Sequence, residues 1–270
     1  MATAKKTAPK PGTAVATRSN NAIVSVKEQM AAQLAKLQDK TAPATGNMIR
    51  VTQDKHFAMP DGTKTRDSLQ LVIVDFVSRN RFWTEDYDKD NPTPPACCAI
   101  GDNPRTLIPL ASSPERQSDE CSSCPMNAFG TDKNGKGKAC KNGRLLAVLP
   151  PDAGEDDELW LLDVSPTAIK GFDGYVNGVA RTFSTPPIGV ITTVSFNEST
   201  DYPSLVFGEP VVNENVAVHM ARLEDATKQL NTEPDFSTYG QAPAKPAKPE
   251  NEHARQLFAV ARPGAAGHAC

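Results

Sequence analysis

Residues 69–76 read LQLVIVDF, and the reading of this run decides the fold. Six of its eight side chains are apolar, with β-branched residues at its centre. Such a run is a strand buried on both faces and therefore central in a sheet. It continues into Val77-Ser78-Arg79-Asn80-Arg81-Phe82-Trp83, where basic and aromatic residues interleave. Upstream, Met48–Val51 and His56–Met59 form an expected hairpin, with Pro60-Asp61-Gly62 as the next turn. Downstream, strands are expected at Leu145–Leu149, Leu159–Val164, Ile188–Phe196 and Leu205–Phe207. Ser165-Pro166 reads as a helix start, and Ile169, Phe172, Val176 and Val179 make the apolar stripe of that helix. Asn213 reads as the cap of a last helix carrying Val216, Met220, Leu223 and Leu230. Short strands with few helices predict an α+β domain built on a small antiparallel barrel or curved sheet.

The ends of the chain read differently. Residues 1–20 carry Lys, Thr, Ala and Pro but almost no large apolar side chain, and are expected to form a disordered basic tail. Residues 21–40 predict a helix. Ser25 and Glu28 form its capping box, and Val26, Met30, Leu34 and Leu37 repeat at helical spacing. Residues 41–46 are a linker, 47–231 a single domain, and 232–270 a flexible tail rich in Pro, Ala and Lys.

Within the domain, 84–143 reads as an insert of little periodicity. A segment that long needs something to pin it. Five of the six cysteines, Cys97, Cys98, Cys121, Cys124 and Cys140, fall in it; the sixth is Cys270. No stretch reaches the roughly 20 apolar residues of a membrane span, and the N-terminus has no apolar segment of a secretory signal. A cytoplasmic, reducing compartment is therefore expected, where clustered cysteines bind metal more readily than they form disulfides. The spacing predicts one structural site held by Cys98, Cys121, Cys124 and Cys140, since a Cys-x2-Cys turn presents two thiolates to one ion and two distant cysteines complete it. Cys97 is the alternative to its neighbour Cys98. Four sulfurs select zinc, with an iron–sulfur cluster as second choice. The remaining alternative is a set of ordinary buried thiols.

The net charge is −3, so any affinity for nucleic acid must come from a local patch. Two features offer one. Between Cys124 and Arg144 lie Lys133, Lys136, Lys138, Lys141 and Arg144 against only Asp132. The strand end supplies Arg79, Arg81, Phe82, Trp83 and Tyr87. Cations suit phosphates and exposed rings suit unpaired bases. The expected partner is single-stranded DNA, with the lysines alternatively serving only solubility and the rings only the core. Catalysis is not expected. The four histidines, His56, His219, His253 and His268, sit in no motif, and His56 and His219 read as surface or capping residues. No nucleophile elbow, carboxylate pair or dinucleotide fingerprint occurs.

The runs LVIVDFVSRNRFWTEDYD, PACCAIG, QSDECSSCPMNAFGT, GKGKACKNGRLLAVL and LWLLDVSPTAIKGFDGYVNGV resemble tailed-phage proteins of the early or replication region. The resemblance covers about residues 47–212. It implies a zinc-containing single-stranded DNA-binding protein of oligonucleotide/oligosaccharide-binding (OB) type, non-catalytic, active in replication or recombination in the host cytoplasm. Other replication or recombination proteins are implied partners. The tail departs from the acidic tail of such proteins, since it carries Lys245 and Lys248 and ends His268-Ala269-Cys270. The rival expectation is a protein–protein adaptor, a regulator of host transcription or a virion component, that docks through the metal loop. A weaker rival is an iron–sulfur redox protein.

Overall fold

The computed structural model describes residues 29–30, 46–86, 93–234 and 236. The chain divides into two compact units, Met1–Gly46 and Asn47–Cys270. In the first, only Gln29, Met30 and Gly46 are described; Gln29 and Met30 are helical, and the rest of the expected tail and helix lies outside the described residues. So does nearly all of the expected C-terminal tail. No helix among the described residues is long and apolar enough to cross a membrane.

The second unit is mixed α+β. Its strands are β1 (Met48–Val51), β2 (Phe57–Ala58), β3 (Lys64–Thr65), β4 (Leu69–Phe82), β5 (Cys97–Gly101), β6 (Lys141–Leu149), β7 (Trp160–Val164), β8 (Val190–Phe196) and β9 (Leu205–Val212). They form one curled, open sheet in the order β3-β2-β1-β7-β6-β4-β8-β9, with β5 added to the far end of β4. The 14 residues of β4 are long enough to serve three neighbours: β8 pairs with its first part, β6 with most of its length, and β5 with Ser78–Phe82.

A bulge between Ile73 and Asp75 shifts the β4–β6 register. One extra residue inverts the alternation of side chains. Leu71, Ile73 and Phe76 consequently join one core, whereas Val72, Val74 and Val77 join the other. This is how a run with no alternation of its own fills both faces. The extra residue is Val74; Asp75 beside it pairs with Ala147, and its carboxylate accepts hydrogen bonds from the Phe76 N–H at 2.8 Å and the Thr227 hydroxyl at 2.8 Å.

Helix α1 (Ile169–Phe183) covers the first face. Phe172 is fully buried and meets Phe76 and Phe207 edge-on, at 5.0 Å in each case. The helix starts three residues after Pro166. Ser165–Ala168 instead form a turn, closed by the Ala168 N–H on the Ser165 carbonyl at 3.0 Å. The expected final helix is two short ones, α2 (Val216–Ala221) and α3 (Leu223–Leu230). Ala226 and Leu230 of α3 pack on the second face. The N-cap of α2 is Asn215 and not the expected Asn213, which lies two residues upstream and accepts the Asn215 N–H at 3.1 Å.

Three expectations need correction. The sheet is not wholly antiparallel: β1 runs parallel to β7, pairing Met48 with Leu161 and Ile49 with Leu162. The long chain between them satisfies the crossover that parallel pairing requires, and Asn47 fastens the junction through its side chain to the Leu159 carbonyl at 2.6 Å. The insert is not wholly irregular, since β5 lies inside it. Finally, His219 is fully buried rather than at the surface; its Nδ1 meets the Asn213 amide at 2.9 Å, and burial lowers its pKa.

Candidate metal centre and nucleic-acid interface

Strand alternation sorts the far end of β4. Cys97 pairs with Phe82 and Ala99 with Asn80, so these four share a face; Cys98 pairs with Arg81 and Ile100 with Arg79, on the opposite face. On the first face, Cys121, Cys124 and Cys140 approach Cys97 around a cavity of about 10 Å³, walled also by Asn80, Phe82 and Met126. Backbone bonds hold the loop around it. The Cys121 N–H donates to the Leu107 carbonyl at 3.0 Å, the Asn127 N–H to that of Cys124 at 3.0 Å, and the Cys140 N–H to that of Met126 at 2.8 Å. The Asn127 side chain adds a bond to the Cys121 carbonyl at 2.8 Å.

Cys98 borders the same cavity but has different electrostatic company. Burial pushes its thiol up to about 11, and its strongest charged neighbours are Arg79 and Arg81. Burial pushes Cys140 up to about 12, and its thiol neighbours are Cys121, Cys124 and Cys97. Cys121 is raised by burial and partly relieved by a hydrogen bond from Asn80. Cys97 and Cys98 are adjacent on β5 and face opposite ways, and the thiols that weigh on Cys140 are those of Cys121, Cys124 and Cys97. All five cysteines are free thiols. Among the described residues, no group of three or more His, Cys, Asp or Glu side chains is gathered closely enough to hold a metal ion as it stands. The donor chemistry nonetheless suits a soft cation, since five cysteines with no carboxylate among them border one small cavity.

The arginines of the expected phosphate track divide sharply. Arg79 is 9% exposed and pairs with the Asp163 carboxylate of β7 at 2.8 Å; Arg81 pairs with the same oxygen. Arg144 is 8% exposed and pairs with Asp173 of α1 at 3.0 Å. Gly143 makes room for this arrangement. A Cβ there would come within 3.0 Å of the Val164 carbonyl and 3.5 Å of Asp163 Oδ1. Arg79 thus fastens strand to strand, and Arg144 strand to helix. Sequence alone cannot reveal this, because their carboxylate partners lie 84 and 29 residues away.

Four of the other expected contacts, Phe82, Trp83, Lys133 and Lys141, meet at a groove of about 570 Å³. Phe82 and Trp83 from the end of β4 line one part, and Lys133 and Lys141 from the cysteine loop line another. The Trp83 indole N–H donates to the Thr93 carbonyl at 3.3 Å, and the Arg81 guanidinium lies 5.4 Å from the ring centroid. Trp83 is half-buried, so it retains an accessible edge. Lys133 pairs with Asp86 at 2.5 Å, both exposed, and Lys141 donates to the Lys138 carbonyl at 3.0 Å. Lys136 is exposed. Lys138 is half-buried and donates to Asn127 at 3.2 Å and Asn142 at 3.0 Å. Glu85, Asp86 and Asp132 also line the groove, which is therefore of mixed charge. Tyr87 lies outside the described residues.

One residue escaped the sequence reading. Phe129, on the loop between Cys124 and Cys140, is 80% exposed, with the Lys138 ammonium 5.0 Å from its ring centroid. The available signal was a lone aromatic in an otherwise polar, glycine-rich stretch. Comparison of the chain with protein-family models, with curated proteins and with solved structures finds no match.

Proposed function

We propose that this chain is a non-catalytic single-stranded nucleic-acid-binding protein of the phage replication or recombination type, with an OB-like curled sheet and a cysteine loop held by structural zinc. The observation that carries the reading is the groove in which Trp83 and the lysine-bearing loop meet. It joins a stacking ring to phosphate-seeking cations, the two terms that single-strand binding uses. The curled open sheet is compatible with an OB-type barrel, and the resemblance of the cysteine-bearing runs to phage proteins supports the same class. Cys97, Cys121, Cys124 and Cys140 would hold the zinc, which supplies folding energy to the loop and has no open position for a reacting water.

A salt-dependent titration of the full chain with single- and double-stranded oligonucleotides tests the reading. Tighter binding of the single strand, weakening with salt, is expected; no single-strand binding at low salt would overturn it. The adaptor reading has its own support in Val211 and Val212 of the edge strand β9, each 59% exposed. It gains if oligonucleotides of both kinds fail to bind.

A further inference from the structure

Phe129 is the most exposed large apolar side chain among the described residues. Its exposure does not come from slack backbone. The Gly130 N–H donates to the Gly137 carbonyl at 2.8 Å, and Gly130 takes φ +86°, a left-handed value that suits glycine. The Thr131 hydroxyl donates to the Ala128 carbonyl at 2.7 Å and accepts the Ala139 N–H at 3.0 Å. Phe129 is thus presented from both sides by a braced turn.

The ring also has a fixed backing. The Lys138 ammonium near it is anchored by Asn127 and Asn142, and the Asn142 amide donates onward to Asn80 of β4 at 2.7 Å. A cation held against one side of an aromatic ring leaves the remaining surface for a flat π partner. The charge around it says which kind. Over residues 125–141 there are four lysines and one acid, Asp132, whose carboxylate is already engaged by the Lys136 N–H at 2.8 Å and held below its usual range by the Gly137 N–H. A flat, uncharged ring system tethered to a polyanion meets both conditions.

We infer that Phe129 is a base-stacking platform, on which one unpaired base of a single-stranded nucleic acid lies while its phosphates run along the lysines of the cysteine loop. This rests on the single-strand reading above and adds a residue and a path to it. The strand would leave the Trp83 groove and cross the loop tip, so the binding track is longer than the groove.

The test is fluorescence anisotropy of the full chain with dye-labelled oligothymidylate at several salt concentrations, for the wild type, Phe129→Ala, Phe129→Leu and Phe129→Trp. Loss of one stacked base corresponds to binding about 5- to 150-fold weaker in Phe129→Ala. The salt slope should stay unchanged, because stacking releases no counterions. Phe129→Leu keeps apolar bulk without a π face and should resemble Phe129→Ala. Phe129→Trp should keep the affinity and show indole emission quenched by the oligonucleotide. If Phe129→Ala melts lower than the wild type, the leucine variant decides. A wild type that binds while Phe129→Leu binds equally well overturns this inference alone. A wild type that binds no oligonucleotide overturns the single-strand reading and this inference together.

Discussion

The sheet and the cysteine loop of this protein are held by different forces. Around the sheet, two clusters of fourteen and eleven buried apolar residues occupy its two faces; the loop region has a cluster of three, Ala99, Leu107 and Cys121, among the described residues. Area burial is the main stabilising force in the first. The second relies on backbone hydrogen bonds, on asparagine side chains such as Asn127 and Asn142, and on thiols that converge from four points of the sequence. A single chain can therefore contain one region held chiefly by apolar burial and another held chiefly by polar contacts. The two should break under different insults.

The largest expected effect lies in the loop. Cys121→Ser and Cys124→Ser should each abolish the binding of about one zinc per chain and open residues 98–143 to protease, because metal binding and folding of such a loop are one process. Cys97→Ser should do the same, whereas Cys98→Ser should retain the metal. Elemental analysis with limited proteolysis checks both. Full metal in the Cys97 variant with loss in the Cys98 variant would reverse the assignment made from the strand register.

The sheet should answer next. Phe172→Ala removes a fully buried ring between Phe76 and Phe207 and should cost about 3–5 kcal/mol in denaturant unfolding. The variant that still folds should keep its zinc, since nothing of α1 reaches the thiol cavity. A drop in metal content as large as that of Cys121→Ser would mean the two regions are a single cooperative unit.

The smallest effects separate the cations. Removing Lys133, Lys136 and Lys141 together should weaken single-strand binding and flatten its salt dependence by about 0.7 in slope per lost phosphate contact. Arg144→Ala should leave the slope unchanged and lower stability instead, because Arg144 is occupied by Asp173. Trp83→Ala should weaken binding at constant slope. A slope that falls with Arg144 and not with the lysines would return the arginine to the interface.

The fold was legible where the signal is local. LQLVIVDF, the apolar runs at 145–149, 159–164 and 188–196, and the stripe of α1 each specify an element through side chains a few residues apart, and propensity and period act at that range. β5 was not legible, because CCAIG is a short run inside a polar insert and becomes a strand only by pairing with Ser78–Phe82. The bulge at Ile73–Asp75 and the parallel β1–β7 ladder were hidden for a related reason: register and direction belong to pairs of strands, not to one.

The site follows the same division. Sequence by itself determined that thiols, lysines and aromatic rings crowd one insert and one strand end. Tertiary structure alone decided which of them are free to act. Strand alternation set Cys97 and Cys98 on opposite faces of β5, with Cys98 beside the arginines, distant carboxylates on β7 and α1 took Arg79 and Arg144 out of the surface, and a braced turn left Phe129 in water. Residue type is written in the chain, but which way a side chain faces and whether its charge is already matched depend on partners that only folding brings near.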